Sequence, residues 1–592
     1  MDEKEIIAFY LENEILISPD LLTDIKEVYL PLHTAFSVLT KDTIRIIDNK
    51  LPISIADFEK SLVLKDKHQN NRMYQKFLEY IDQQITKKIS IANGVYASPG
   101  KVPVIGEMDK LSSIKTETDN APKKEEKIST APVSSQEELS EKTVEELRKD
   151  ILLKNRIRIV ADYAERSRKR IVADFVNYFN SRYKDIEKIL RSRTEMQSLT
   201  SIARINAKKE RDNVAFIGFV YEKSLTKNNN LMLTLEDPTG FIKVVVRQNK
   251  EDLYRLAQEI QLDEVIGVTG TFDNLVFANN LLIPDVPLTK ELKKSPEEGY
   301  LVVITDPQLG NKLFLEKEFR RFIAWINGQV GNDVQKEIAS KIKYLFIIGD
   351  LVDGVGIYPD QEFDLNVIDI TDQYNLFAEY MKLISKDIPI ILCPGNHDVG
   401  RISEPQPRFH DKYSKAVWMM PNIIPVSNPS TINIFANPEK GFEGFDVLMY
   451  HGFSFVYYAE QIPTIRQKGG QKRPDLIMRY LLQRRHLAPT HTSNLYIPDP
   501  KKDHLTMDKV PDFFFSGHIH RASVNNYRNV TCINASCWVA KSDEQERRGL
   551  EPQPARAFII NMQTREIKIM NFLSKEDQEK ETGDQILADA RR

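Results

Sequence analysis

Five short motifs in the C-terminal half carry residue types that bind divalent metals, and each motif follows an apolar run. The motifs are ITDPQ, IIGDLVDG, CPGNHDVG, MYHG and SGHIH, with the candidate ligands Asp306, Asp350, Asn396, His451, His518 and His520. In α/β folds, ligands bind where strand ends present their loops. A single Gly-Asp after an apolar strand is common, and a lone buried histidine is more often a core residue. Five such ends in one order indicate a metal site.

The residue types match the chemistry of phosphate ester hydrolysis. Two divalent ions about 3.5–4 Å apart can clamp a phosphate and activate water for in-line attack. Cations that close need a bridging anion, and Asp350 is placed to supply it. Mixed imidazole and carboxylate ligands favour Mn²⁺, Fe²⁺ or Zn²⁺ over Mg²⁺ alone. We therefore expect two divalent ions, with Mn²⁺ as the first choice and Fe²⁺, Zn²⁺ or Mg²⁺ as alternatives.

The elements that must position these residues are apolar strands alternating with helices over residues 293–575. Continuous apolar strands are typical of sheets buried on both faces, so this region is predicted to be an α/β sandwich covered by helices. A charged tail follows at residues 576–592.

Residues 201–292 are predicted to form a small β-domain. Five strand-like segments lie here, one turn among them is Asp237-Pro238-Thr239-Gly240, and a helix is expected at Lys250–Glu259. Five short strands with a late helix favour an OB-fold barrel. Its few aromatic residues fit core packing about as well as nucleic-acid stacking, so the pattern does not show whether the barrel touches DNA.

The N-terminal part has a different character. Residues 1–90 have apolar residues at helical spacing and predict a helical module, which can be a partner-docking domain without chemistry. Residues 91–142 are rich in Lys, Glu, Ser, Thr and Pro, and we expect a disordered linker. Residues 143–200 are predicted to be a helical segment, with a capping-box pattern at Thr143 and Glu146. The fold class is thus multidomain α/β, with helical, barrel and sandwich parts.

Composition limits the function classes. The chain has 592 residues, too many for one core, and its net charge of -3 argues against a wholly basic nucleic-acid binder. The three cysteines form no CxxC pair, so neither a zinc ribbon nor a disulfide framework is expected. No apolar run predicts a membrane span, and the acidic N-terminus is unlike a signal peptide. The expected location is the cytoplasm.

The series GD, GNHD, H and GHxH resembles the calcineurin-like metallophosphoesterases over about residues 299–572. A barrel before that region and the segment VGRISEPQPRF after GNHD narrow the resemblance to the small subunits of archaeal family D DNA polymerases, relatives of the B-subunits of eukaryotic replicative polymerases. That resemblance implies a proofreading 3′–5′ exonuclease acting on DNA 3′ ends. It also implies a large catalytic subunit as partner and no membrane association.

The resemblance also assigns roles to residues. It implies one metal held by Asp306, Asp350 and His520, and a second held by Asp350, Asn396, His451 and His518. His397 resembles the histidine that protonates the leaving oxygen or stabilises its charge. Asp398 is expected to orient that imidazole, and Asp353 can equally be a turn or helix cap.

One ligand position departs from the family. The first motif usually reads Asp-x-His, but this chain has Asp306-Pro307-Gln308. A neutral amide oxygen is a weaker ligand than imidazole for a transition metal. The alternatives are a weakened or altered enzyme, or a non-catalytic assembly subunit. A phosphatase for small molecules or phosphoproteins fits less well, because a barrel domain precedes the site.

Overall fold

The computed structural model describes residues 16–17, 38–39, 141–164, 168–574 and 577–578. The chain divides into two compact units, Met1–Pro132 and Val133–Arg592. In the first unit, β1 (Leu16–Ile17) pairs in parallel with β2 (Val38–Leu39), so these four residues are strand where helix was expected. The rest of the helical module expected over 1–90, the linker up to residue 140 and most of the charged tail lie outside the described residues.

Residues 141–206 contain three helices and one strand. They are α1 (Glu141–Lys154), β3 (Ile157–Ala161), α2 (Val172–Arg191) and α3 (Ile202–Asn206). The prediction of a wholly helical segment over 143–200 is therefore wrong at β3. The sequence IRIVA is rich in β-branched residues, but its partner strand, Ser430–Ile434, lies far along the chain. No local pattern could reveal that pairing.

Five strands form a closed barrel in the region where the sequence predicts a small β-domain. They are β4 (Asp212–Leu225), β5 (Leu231–Asp237), β6 (Gly240–Val246), β7 (Val265–Asp273) and β8 (Leu275–Leu282). Their order around the barrel is β4-β5-β6-β8-β7, and α4 (Glu251–Glu259) connects β6 to β7. The barrel interior is apolar, with residues such as Phe216, Leu235 and Val268 fully buried.

The first sheet of the sandwich has six strands in the order β12-β11-β10-β9-β18-β19. Their ranges are β9 (Tyr300–Ile304), β10 (Ile342–Ile348), β11 (Ile390–Cys393), β12 (Ile423–Pro425), β18 (Arg556–Asn561) and β19 (Ile567–Asn571). Strands β9 to β12 are parallel, and β18 pairs antiparallel with β9. The carboxyl ends of β9, β10 and β11 therefore lie along one edge.

The second sheet also has six strands, in the order β16-β17-β15-β14-β13-β3. Their ranges are β13 (Ser430–Ile434), β14 (Phe445–Met449), β15 (Phe513–Ser516), β16 (Ala522–Tyr527) and β17 (Val530–Ala535), completed by β3. Strands β14 and β15 are parallel. The five strands that precede the ligand motifs therefore come from both sheets. Strands β9, β10 and β11 belong to the first sheet, and β14 and β15 belong to the second.

Apolar contacts between and outside the sheets make a four-layer sandwich. Val303 and Phe346 of the first sheet share a core with Val447 and Phe515 of the second. The first sheet's outer face is covered by α5 (Glu316–Ile326), α6 (Asp333–Ser340), α7 (Ile370–Lys382) and α8 (Asp411–Trp418). The second is covered by α9 (Phe455–Gln461), α10 (Pro463–Gln467) and α11 (Pro474–Arg484). The α/β sandwich predicted from the sequence is confirmed.

The three cysteines lie in this apolar interior. Cys393 ends β11, Cys532 lies in β17 and Cys537 follows it, and all three are buried free thiols. Among the described helices, none combines the length and the apolar character that a bilayer crossing requires.

A buried ionic network ties α2 to the sandwich. The guanidinium of Arg182 donates to Asp503 Oδ2 at 2.6 Å and to the carbonyl of Pro489 at 2.6 Å. The same carboxylate oxygen contacts His486 Nε2 at 2.8 Å. Burial opposes ionisation of Asp503, but the charge of Arg182 outweighs it and holds the pKa of Asp503 below its ordinary value. This stabilisation is present above the unfolded-state pKa, about 4, and is lost as pH falls through the folded-state value.

Asp503→Ala should destabilise the protein by about 3–5 kcal/mol, because it leaves the Arg182 charge buried and unpaired. Denaturant unfolding at pH 7 checks this. The matched control is Asp212→Ala, which breaks the exposed Lys208–Asp212 pair and should leave the midpoint near that of the wild type. Equal midpoints for the two variants would show that the buried network does not hold α2 in place.

Candidate metal centre

The ligand-type residues follow strand ends in both sheets, as the sequence predicts. Asp306 lies two residues after β9 and Asp350 two residues after β10, while Asn396 follows β11. From the second sheet, His451 follows β14 and His518 follows β15. Because the sheets pack face to face, these carboxyl ends meet at one edge of the sandwich.

Asp350 lies at the centre of the cluster. Ligand atoms of Asp350, His451 and His518 all lie within 4.8 Å of one another. His451 Nε2 is 3.2 Å from Asp350 Oδ2 and 3.1 Å from the amide oxygen of Asn396. Asp350, Asn396, His451 and His518 thus bring nitrogen and oxygen atoms together that can ligate a metal. A transition-metal site requires such ligand atoms.

Asp306 and His520 form the other half of the centre. His520 Nε2 is 3.3 Å from Asp306 Oδ1, and the backbone amide of His518 donates to Asp306 Oδ2 at 3.1 Å. Asp306 is fully buried, and apart from the His520 ring its Oδ1 meets no hydrogen-bond donor within the described part of the chain. A buried carboxylate oxygen without a donor is costly unless a cation compensates it. The residues present therefore fit a divalent ion.

Gln308 adjoins this half of the centre. It is 4% exposed, and its backbone amide donates to the carbonyl of Asp350 at 2.9 Å. Among the described residues, no hydrogen bond holds its side-chain amide.

The backbone at the centre is strained. Asp306, Gln308, Asp350, His518 and His520 have φ values of 49°, 47°, 49°, 69° and 54°. Residues other than glycine rarely adopt this left-handed region, and each such residue costs of order 1–3 kcal/mol. Left-handed backbone at all five of these residues indicates that the local chain path sets the direction of their side chains.

Gly395 allows two loops to approach each other. A Cβ at residue 395 would lie 2.2 Å from Asp350 Oδ1 and 2.5 Å from the Asp350 backbone nitrogen. Real Cβ atoms do not come this close, so only glycine fits beside the central carboxylate. Residue 395 must therefore be glycine for reasons of space.

The charges of the centre are strongly coupled. Burial opposes ionisation of Asp350, but the imidazoles of His451 and His397 outweigh it and hold the pKa of Asp350 below its usual range. Burial likewise opposes protonation of His451, yet Asp350 and Asp306 raise the pKa of His451 to about 10. Burial and the charge of His451 together lower the pKa of His518 to about 3. Since a ligating imidazole is neutral, binding of a cation must displace the proton from His451.

His397 lies beside the centre and is held by Asp353. Its backbone amide donates to Asp350 Oδ1 at 2.8 Å, and its Nδ1 lies 2.6 Å from the backbone carbonyl of Asp353. A carbonyl only accepts, so Nδ1 carries the proton and Nε2 is the nitrogen left to exchange a proton.

Asp398 does not orient the His397 imidazole, contrary to the expectation from the sequence. Its carboxylate accepts from the backbone amides of Gly395 and Leu351 and from the Tyr374 hydroxyl, at 2.8, 3.2 and 2.9 Å. It therefore fixes the loop rather than the ring. Successive residues point different ways in a tight loop, and sequence adjacency to His397 could not show this.

Sequence reasoning missed Gln545. Its side-chain amide lies 3.2 Å from His520 Nδ1, in α12 (Asp543–Arg547). A partner on the second ring nitrogen of a metal-binding histidine sets the orientation and tautomer of the ring. No motif surrounds Gln545, so no sequence signal could have identified it.

Comparison with known proteins agrees with this geometry. A family profile described as calcineurin-like phosphoesterase matches residues 300–522. The DNA polymerase II small subunit of Methanothermobacter thermautotrophicus is 35% identical over 405 residues, which cover 68% of this chain and 80% of the relative. The chain belongs to the family of archaeal DNA polymerase II small subunits.

Other archaeal small subunits match this chain at similar identity. The small subunit from Archaeoglobus fulgidus is 37% identical, with 66% of this chain and 75% of the relative covered. For the one from Methanocaldococcus jannaschii the identity is 36%, and the match covers 66% of this chain and 64% of the relative. The family resemblance read from GNHD and GHxH is confirmed.

Gly395→Ala should lower Mn²⁺ affinity at least about tenfold, or ~1.4 kcal/mol, because the new methyl group displaces the Asp350 carboxylate. Calorimetric Mn²⁺ titration measures this. Gly441→Ala is the control: its φ is 65° and its Cβ would meet nothing within 4 Å. It should lose about 1–2 kcal/mol of stability through strain and bind Mn²⁺ normally. Unchanged Mn²⁺ affinity in Gly395→Ala would show that Asp350 is not at the metal site.

Proposed function

We propose that this polymerase small subunit removes nucleotides from DNA 3′ ends by metal-dependent hydrolysis of the phosphodiester bond. The observation that carries the proposal is the convergence of Asp350, His451 and His518, with ligand atoms within 4.8 Å of one another, together with the buried pair Asp306 and His520. A structural subunit gains nothing from strained, desolvated ligand-type residues.

The proposed ligand sets follow from the two halves of the centre. Asp306, Asp350 and His520 would hold one ion, with Gln308 at the position where the motif of calcineurin-like phosphoesterases usually has histidine. Asp350, Asn396, His451 and His518 would hold the other. When bound, two such ions neutralise the phosphate and lower the pKa of water, and Mn²⁺ suits this donor set. Asp350 would belong to both sets, with Oδ2 facing His451 and Oδ1 accepting a hydrogen bond from the backbone amide of His397.

His397 would supply the proton for the leaving 3′ oxygen. Its Nδ1 is committed to the Asp353 carbonyl, so proton transfer must occur at Nε2. The hydrogen bond from the backbone amide of His397 to Asp350 Oδ1 keeps the imidazole near the central carboxylate. General acid catalysis of this kind contributes about 10²–10⁴-fold.

We further propose that the barrel is an OB-fold and that the sandwich and barrel together bind the large polymerase subunit. Five strands in the order β4-β5-β6-β8-β7, with a helix between the third and fourth, support the OB assignment. The relatives are named small subunits, which implies a larger partner. A non-catalytic assembly role is the second candidate, and Gln308 at a ligand position is the observation that favours it.

The proposal is tested with labelled single-stranded and 3′-mismatched DNA in the presence of Mn²⁺, with and without the large subunit. Wild type should shorten DNA from the 3′ end, and Asp350→Ala and His397→Ala should reduce the rate at least about 10²-fold. p-Nitrophenyl phosphate serves as the small-substrate control. If wild-type activity on DNA does not exceed that of these variants in either setting, the assembly role stands.

Gln308→His should raise the exonuclease rate, or lower the Mn²⁺ concentration required, about tenfold, or ~1.4 kcal/mol of transition-state stabilisation. Imidazole binds Mn²⁺ more strongly than a neutral amide oxygen does. Side-by-side Mn²⁺ titrations of the two proteins measure the effect. Identical curves from two active proteins would mean that glutamine is a competent ligand or that this ion does not limit the rate. A slower variant would mean that the surrounding residues are fitted to glutamine.

A further inference from the structure

A loop beside His397 exposes apolar side chains although its backbone is firmly held. We call residues 354–364 the Tyr358 loop; it connects Asp353 to the segment before α7. Val355, Tyr358 and Phe363 in this loop are 45%, 39% and 49% exposed. Three exposed apolar side chains in one loop at the edge of a candidate site indicate a binding surface.

Two fully buried glutamines fix the loop. The Gln361 amide donates to the carbonyl of Asp353 at 2.7 Å and accepts from the backbone amide of Ile357 at 2.9 Å. Gln373 accepts from the Gly354 amide at 2.9 Å and donates to the Gly354 carbonyl at 3.1 Å. Burying two amides to shape a surface loop is costly unless every polar group is paired, as it is here. The exposed side chains are thus presented in a defined position.

The loop is also fitted against the proposed catalytic histidine. A Cβ at Gly354 would lie 2.3 Å from the His397 carbonyl oxygen, and Asp353, which precedes the loop, holds His397 Nδ1. Movement of the loop would therefore move His397.

Tyr358 presents its ring next to the reaction site. Its ring centroid is 6.5 Å from that of His397 with the planes at 62°, and its hydroxyl donates to Asp364 Oδ2 at 3.1 Å. The hydrogen bond fixes the ring without covering its exposed part. An aromatic ring held in this way is a stacking platform, and every nucleobase has a face that can stack on it.

The charges of the loop favour the end of a strand over its middle. Glu362 and Asp364, just beyond Tyr358, are exposed carboxylates. They would repel the phosphates of a chain that continued past the ring. A terminal nucleotide has no further phosphate on its 3′ side and escapes this repulsion.

We propose that Tyr358 stacks on the base of the 3′-terminal nucleotide and so makes the site specific for strand ends. This inference rests on the proposed exonuclease function, because it places the terminal phosphodiester at His397. It assigns Tyr358 a substrate-positioning role that accepts all four bases and excludes small phosphate esters without a base.

The test measures binding of a single-stranded oligonucleotide with 2-aminopurine at its 3′ end to the full chain, with Ca²⁺ replacing Mn²⁺. Stacking quenches this fluorophore. Wild type and Tyr358→Phe should quench it, because both keep the ring. Tyr358→Ala should not quench it and should bind about five- to hundredfold more weakly, the range for loss of one base–aromatic stack. An oligonucleotide with an abasic 3′ terminus should bind equally to wild type and Tyr358→Ala.

The outcomes separate this inference from the exonuclease proposal. Stacking is supported if wild type prefers a 3′ end that carries a base and Tyr358→Ala loses this preference. This conclusion holds even if Mn²⁺ then produces no cleavage and the hydrolytic proposal fails. If wild type binds 3′ ends with and without a terminal base equally well, stacking is overturned, whether or not DNA is cleaved. Tyr358→Ala that binds DNA normally but loses the large subunit would also overturn it, and would assign the loop to the protein interface.

Discussion

The buried carboxylate of Asp350 imposes the constraint on which the rest of the centre depends. At 1% exposure its charge cannot be stabilised by water, so the fold must bring compensating groups to it. His451 supplies an imidazole at 3.2 Å and His397 an amide hydrogen bond at 2.8 Å. The close packing around Asp350 leaves no room for a Cβ at residue 395, so this residue is glycine. The charge of Asp350 thus accounts for the glycine at residue 395, for the path of its loop and for the raised pKa of His451.

Two sheets are needed because the edge of one sheet presents side chains to the centre from one side only. Parallel strands of the first sheet deliver Asp306, Asp350 and Asn396 from one side. The parallel pair β14 and β15 delivers His451 and His518 from the other. Left-handed backbone at five ligand-type residues then turns the side chains inward. The apolar core shared by the sheets resists relaxation of this strain, since packed interiors deform little.

The parts of this architecture that depend on short-range pattern could be predicted from the sequence. Apolar runs such as YLFII and FFFS end in polar tips, and these runs are the strands that carry the ligand-type residues. The barrel strands were found because alternation and the Asp237–Gly240 turn are local signals. Roles set by three-dimensional contact could not be predicted: Asp353 rather than Asp398 holds His397, and Gln545 reaches His520 from a distant helix.

Strand β3 makes a segment that precedes the barrel part of the phosphoesterase sandwich. It precedes the barrel in the chain yet forms an edge of the second sheet, where Ile157 to Ala161 pair with β13. The barrel is therefore an insertion within the sandwich rather than a domain placed before it. A fragment that begins at residue 293 would leave the hydrogen-bonding edge of β13 open, and open edges invite pairing between molecules.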